Sequence, residues 1–282
     1  MRISRNSEIL FLYDAKMTNP NGDMDNENRP RMDNETDTNL VSDVRLKRYL
    51  RDYFETTLKE EIFVTEKAKK AEERAKQLKD SNLEHTDLID VRLFGAVFAT
   101  DGANTHITGP VQFNWGYSLN PVEINESSTI TSSFSSGEGI GKDFRVKYSL
   151  IAFSGGINAN TAKQSNLCKD DISIFDQAMV KAIPSCRTRS KIGQTPRLYI
   201  RVEAKNNKSI LKDLRDFIVL NYKIENKYAV RDVSQFSVDI SKLIKYLEDK
   251  PIERIIYWKD DELVIPLWDD FQRNFDLELL NL

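Results

Sequence analysis

Histidine and cysteine are almost missing from this chain of 282 residues, with two of each. His85 and His106 stand in no recognisable motif, so acid/base chemistry built on imidazole and His-rich metal sites have little material. His85, in Leu83-Glu84-His85-Thr86-Asp87, reads as a loop or capping residue, and His106 as an exposed turn residue. Cys168 and Cys186 have neither the close spacing of a zinc site nor the number of a disulfide framework, and two free thiols fit a reducing compartment. No Walker or dinucleotide fingerprint occurs. No apolar run approaches the ~18 residues of a membrane helix. Met1 to Glu8 lacks the hydrophobic region of a signal peptide, so the expected location is the cytoplasm, with no membrane partner.

What is present is 40% hydrophobic residues, enough for a sizeable core, and a net charge of −3 that argues against a surface basic all over. The charge is segregated. No acidic residue lies between Asp176 and Glu203, where Lys181, Arg187, Arg189, Lys191, Arg197 and Arg201 fall, whereas from Lys242 onward acids outnumber bases. Six cations without counter-charge repel one another unless an anion neutralises them, which points to a polyanion partner. Lys142, Arg145 and Lys147 add to this basic surface.

Periodicity orders the elements. Ile9 to Tyr13 is the apolar run of a buried strand, and the polar loop from Thr18 to Asp37 follows. A helix is expected over roughly 39–58, with Leu46, Leu50 and Tyr53 on one side and Arg45 and Arg48 on the other. Three residues apart, these two guanidinium groups can reach consecutive phosphates, although a solvated helix face has the same spacing. Glu60 to Asp80 reads as an exposed helical insertion, and Val91 to Phe98 as a packed segment. Gly109 to Leu119 alternates like a half-buried strand, with Phe113, Trp115 and Tyr117 packing in the core. Ser127 to Gly141 is a flexible Ser/Gly-rich loop by composition. A strand from Val146 to Phe153 closed by Gly155-Gly156, a helix from Ile172 to Ile183 and a strand from Leu198 to Val202 follow. In the last third, helix-like pieces (Ser209 to Leu220, Ser241 to Leu247) alternate with strands (Arg254 to Trp258, Glu262 to Pro266). The fold class is α+β, with the split βαβ order of a ferredoxin-like or RNA-recognition fold. The RNA-recognition consensus of stacking aromatics is absent, so contact with nucleic acid would run through the backbone.

Asp14, Asp23, Asp25 and Asp33 allow a rival reading, a metal-dependent endoribonuclease. Asp23-Met24-Asp25 opens like a calcium loop but fails at Asn28, where glycine is needed, and at Asn34, where glutamate is needed.

Ile9 to Asp23, Ser42 to Tyr49, Asp90 to Ala96, Thr108 to Gln112, Tyr148 to Asn158 and Arg187 to Leu198 occur in order. Together these blocks resemble the repeated backbone subunit of the type I-B CRISPR Cascade complex, within the repeat-associated RAMP superfamily. The resemblance implies a non-enzymatic subunit, without a cofactor, that oligomerises along guide RNA (crRNA) and presents it for pairing with target DNA, as antiviral defence. It implies a modified RNA-recognition palm (8–58, 90–120 and 142–204), inserted fingers or loops (59–89 and 120–141), a thumb or thumb base (181–197) and a C-terminal α/β extension (205–282). Lys16, Asn19, Arg45 and Arg48 would grip guide phosphates, with Lys142, Arg145, Arg187, Arg189 and Lys191 close to the RNA. Its partners would be crRNA, target DNA through the guide, neighbouring copies of itself, and the large subunit, the foot or cap subunit and the guide-processing endoribonuclease of the complex. A separate helicase-nuclease would cleave the target.

Overall fold

The computed structural model describes residues 1–68, 71–100, 103–125, 129–131 and 140–282. Six elements position the rest: β1 (Ser7–Thr18), α1 (Asp43–Thr56), β2 (Val146–Ile157), α2 (Lys169–Ser185), β3 (Gln194–Ala204) and β4 (Ile252–Lys259). Strand β1 pairs antiparallel with β2 on one side (Leu10 opposite Ser154) and with β3 on the other (Leu10 opposite Ile200). Among the described residues the sheet has nine strands. From one edge they run Leu277–Leu279, β4, β3, β1, β2, Gly116–Ser118, Thr38–Val41 and Met32–Asp33, and Val111–Phe113 also pairs with β2.

The apolar run in β1 is continuous because both of its faces are buried. Ile9, Phe11, Tyr13 and Ala15 join a core with α1 and α2, which contribute Leu46, Leu50 and Phe54 and Phe175, Ala178 and Met179. Leu10 and Leu12 face a second core built by residues from Leu211 to Phe271. The C-terminal segment therefore covers the sheet face opposite the two helices. Helix α1 starts at Asp43, because Ser42 caps it by accepting the Arg45 N–H at 3.2 Å while Thr38–Val41 is taken into the sheet between Gly116–Ser118 and Met32–Asp33. The expected start near Asn39 therefore lies in a strand.

Several expectations change. Ser209 to Leu220 is not a helix: a short 3-10 turn, Leu214–Phe217, leads into Val219–Tyr222, which pairs with Phe236–Asp239. Glu262 to Pro266 forms no strand; Leu263 and Ile265 are anchored as buried side chains, and Val264 offers its carbonyl to Val238 N–H at 2.9 Å. Gly155-Gly156 does not close a strand, since β2 runs on to Ile157. A Cβ on Gly155 would lie 2.4 Å from the Phe113 ring, so glycine makes room for that ring. Gly109 to Leu119 is two short strands broken at Asn114 and Trp115, and Trp115 is 44% exposed, outside the core that holds Phe113. His106 sits on strand Ala103–Thr108 opposite Val97, not in a turn. His85 opens the 3-10 turn His85–Asp87 and stacks on Phe98 at 3.6 Å between ring centres.

The insertion carries helix Ala71–Asp80 and a small core of its own, with Leu78 packed near Phe63, Leu88 and Phe98. Lys69 and Lys70 lie outside the described residues, as does most of the Ser/Gly-rich loop; of that loop, Thr129–Thr131 pairs with Ile140–Lys142. No helix among the described residues is long and apolar enough to cross a membrane.

Candidate nucleic-acid interface

The far end of β1 is tied to the loop that precedes β3. Lys16 N–H donates to the Gly193 carbonyl at 2.9 Å, and Asn19 N–H to that of Ser190 at 3.0 Å. Gly193 adopts φ +105°, and a side chain there would press on the Lys16 carbonyl at 2.7 Å, so the close approach needs glycine. Asn19 is buried and donates its side-chain amide to the Asn28 carbonyl at 2.7 Å, which folds the start of the long polar loop.

This tie brings Lys191 beneath the loop. Its ammonium donates to the carbonyls of Asn19 and, at 3.1 Å, Pro20. Burial pushes the Lys191 ammonium down to about 7, and the positive charge of Arg45 pushes it the same way. Arg45 projects from the first turn of α1, lies over the Tyr49 ring at 4.0 Å, and reaches Cys186 Sγ at 3.9 Å. Its Nε is buried without a partner. Among the described residues neither cation forms an ion pair with a carboxylate. Two neighbouring cations held by carbonyls and an aromatic ring, with no acid to neutralise them, can take an anion with charge-assisted hydrogen bonds.

Further cations come from the same end of β1 and from the loops beside it. Arg145 donates to the Met17 carbonyl at 2.9 Å and the Arg189 carbonyl at 3.3 Å, and shares Asp143 with Arg189 at 2.8 and 3.2 Å. One carboxylate thus serves two guanidinium groups. Lys16 pairs with Asp232 at 3.1 Å and Lys142 with Glu27 at 2.5 Å, both in exposed positions where a phosphate can replace the carboxylate at small cost. Arg187 is exposed and has no ion pair or hydrogen bond among the described residues.

Other basic residues are placed elsewhere. Arg48 points to its own helix and the insertion, bonding Asp52 at 2.6 Å and the Val64 carbonyl at 3.3 Å, so it does not share a site with Arg45. Each arginine follows its own i+4 neighbour, Tyr49 or Asp52, and the two diverge. Arg197 and Arg201 are not part of an unneutralised run. Arg197 bonds Asp14 at 2.9 Å, Glu262 at 2.7 Å and also Asp260, and Arg201 bonds Asp176 at 2.7 Å. The acid-free stretch is acid-free only along the chain.

The aspartates do not gather. Asp14 is buried between Arg197 and the Tyr148 hydroxyl, Asp23 pairs with Arg31 at 3.0 Å, and Asp33 accepts from Glu35 N–H and the Thr36 hydroxyl within its own turn. Among the described residues no group of three His, Cys, Asp or Glu side chains could hold a metal ion.

Tyr49 and Cys186 escaped the reading of the sequence, although Tyr49 follows Arg45 by four residues, the spacing that lays a cation over a ring on a helix. Arg29, stacked over Phe144 at 4.1 Å, left no such signal, since its partner lies more than a hundred residues away.

Comparison with known proteins identifies the family of the chain. The family described as CRISPR-associated protein Cas7 matches residues 5–241. A CRISPR-associated protein Cas7 from Haloferax volcanii is 33% identical over 283 residues, covering 86% of this chain and 82% of that protein. Among solved structures, a chain of a CRISPR RNA-guided surveillance complex, pre-nicking, superposes with a TM-score of 0.57 at 13% identity, covering 97% of this chain and 96% of that one. A chain of another CRISPR RNA-guided surveillance complex gives 0.55 at 14% identity, covering 97% and 94%, so the fold is shared. With most of its length matched by that family and by the Haloferax protein, the chain belongs to the CRISPR-associated protein Cas7 family.

Proposed function

We propose that this protein is a non-enzymatic backbone subunit of a type I CRISPR Cascade complex, of the I-B branch, that binds crRNA, oligomerises along it and presents the guide for target DNA. The carrying observation is the Arg45–Lys191 cation pair, free of carboxylates and pinned at the end of β1. Family membership supports the same role.

The sheet order β3, β1, β2, Gly116–Ser118, with α1 and α2 packed on one face, supports a modified RNA-recognition palm. In ordinary RNA-recognition modules the open sheet face stacks bases. Here that face is covered by Leu211 to Phe271, so the RNA runs past the end of the sheet, over Arg45, Lys191, Arg145, Arg189, Arg187 and Lys16. Lys142 lies on the same track, the 181–197 segment is the thumb or thumb base and reaches the track through Arg187, Arg189 and Lys191, the 59–89 and 120–141 insertions are fingers or loops, and Arg48 reaches the RNA only where the insertion releases it. The grip is on phosphates, which leaves the bases to pair with target DNA. Neighbouring copies, the large subunit, the foot or cap subunit and the guide-processing endoribonuclease complete the assembly.

The test is binding of labelled single-stranded RNA by the purified protein, followed by fluorescence anisotropy across a salt series. Steep salt dependence with little sequence preference, lost on double substitution of Arg45 and Lys191 by alanine, is the expected result. Salt-insensitive binding, or binding untouched by that double variant, overturns it. Cleavage of the RNA on addition of Mg²⁺ would instead favour the endoribonuclease reading of the Asp-rich loop.

A further inference from the structure

The long polar loop that covers Lys191 has a second side. Between it and the connection from Phe113 to Gly116 lies a cavity of about 240 Å³, lined by Asn26, Arg29, Arg31, Met32, Asn34 and Trp115 among others. We propose that this cavity is a nucleobase subsite, in which one unpaired base of a single-stranded nucleic acid stacks on Trp115 while its phosphate meets Arg29.

The indole is presented by design of its surroundings. On one side Phe113 is buried; on the other, a side chain at Gly116 would strike the Phe153 ring at 2.5 Å, so that residue is pressed onto the core. Asn114 N–H donates to the Ser154 carbonyl at 2.9 Å, and the Trp115 carbonyl accepts from Arg215 at 2.7 Å. The backbone is thus fixed on both flanks, and the break between two short strands turns Trp115 outward to 44% exposure. A rigid aromatic face facing a polar cavity is what base stacking requires, and it is tolerant of base identity because every base has a π-face.

The other walls suit the rest of a nucleotide. Arg29 lies flat on the Phe144 ring at 4.1 Å and forms no ion pair among the described residues, so its N–H edge is available for phosphate. Arg31 is neutralised by Asp23 at 3.0 Å, which leaves the lining with one net positive charge from these three groups. The side-chain amides of Asn26 and Asn34 can both donate to and accept from a base edge. The subsite rests on the nucleic-acid-binding reading above and extends it. Carbonyls of Asn19 and Pro20 hold Lys191, and the same loop continues through Asp23 to Asn34 along the cavity wall.

The experiment compares the intact protein on three labelled oligomers of equal length: oligoadenylate RNA, oligoadenylate DNA, and a phosphodiester backbone whose sugars carry no bases. The expected result is several-fold tighter binding to a base-bearing oligomer than to the abasic one. That preference disappears in Trp115→Ala and persists in Trp115→Phe, and the RNA and DNA arms report which strand supplies the base. In parallel, adenosine monophosphate should quench tryptophan emission of the wild type and not of Trp115→Phe, a readout that needs no grip on a longer backbone. Equal affinity for base-bearing and abasic oligomers together with no quenching overturns the subsite, as does an equal loss for all three oligomers in Trp115→Ala. Failure of the phosphate grip shows separately, as weak abasic binding that Arg45→Ala leaves unchanged.

Discussion

Arg45 and Lys191 come from segments more than 140 residues apart, yet each lies within the electrostatic reach of the other with no carboxylate between them. Burial and the neighbouring guanidinium together hold the Lys191 ammonium at about 7, against 10.5 for an ordinary lysine. A phosphate entering this site restores the charge. RNA binding should therefore take up a proton above neutral pH, and affinity should fall as pH rises from about 7. Stability runs the other way. The unfolded chain binds more protons than the folded one between about 7 and 10.5, so this group makes the free protein more stable as pH rises through that window. Anisotropy and thermal unfolding across pH 6 to 9 should show the opposed trends, and Lys191→Met should flatten both.

The divergence of Arg45 and Arg48 makes them separable. Arg45→Ala should weaken single-stranded RNA binding by about tenfold, which corresponds to ~1.4 kcal/mol, and lower the salt slope by about 0.7 for one lost phosphate contact. Arg48→Ala, which removes a half-exposed pair with Asp52 and a bond to the insertion, should change affinity by about twofold or less and stability by about 0.5 kcal/mol. Equal losses in the two variants would mean that Arg48 swings out of its ion pair to reach the RNA.

How much of this was legible along the chain depended on how local its cause is. Strands β1, β2 and β3 announce themselves because burial on both faces demands near-continuous apolar runs, and α1 and α2 because one buried face repeats every 3.6 residues. The Ser209 to Leu220 stretch has no such local cause. It has helical spacing in Leu211, Leu214 and Ile218, but Val219–Tyr222 is claimed by pairing with Phe236–Asp239, a partner the local pattern does not reveal. The basic residues divide in the same way. Nothing near Arg197 in the chain separates it from Lys191, and the main neutralising partners of Arg197 and Arg201, Asp14 and Asp176, arrive from β1 and α2. Trp115 was assigned to the core by alternation, which the break between Phe113 and Gly116 interrupts.

The buried Arg197 node predicts a stability defect of a different size from any surface arginine. It joins β1 through Asp14 to the C-terminal segment through Asp260 and Glu262, and Asp14 also accepts the Tyr148 hydroxyl at 3.0 Å. Arg197→Ala leaves the Asp14 carboxylate buried without its cation, which costs about 3–5 kcal/mol. Urea unfolding should show that loss, while the fraction still folded binds RNA with wild-type affinity, since Arg197 faces no part of the cation track.

Gly155 offers a test of how the sheet accommodates its helices. Its missing side chain is filled by the Phe113 ring, which in turn packs against Phe153 and Phe175 at 6.4 and 6.2 Å between ring centres. Gly155→Ala places a methyl group 2.4 Å from that ring, and the Gln112 carbonyl at 2.9 Å closes the other escape. Overpacking of this kind costs about 1–3 kcal/mol. The defect should be partly relieved by Phe113→Leu, because a smaller side chain vacates the contact, even though Phe113→Leu alone destabilises by opening a void beside Phe175. A double-mutant cycle in urea that returns a favourable coupling between the two substitutions is the expected outcome; strict additivity would mean that the ring moves aside freely and that glycine is not needed for this packing.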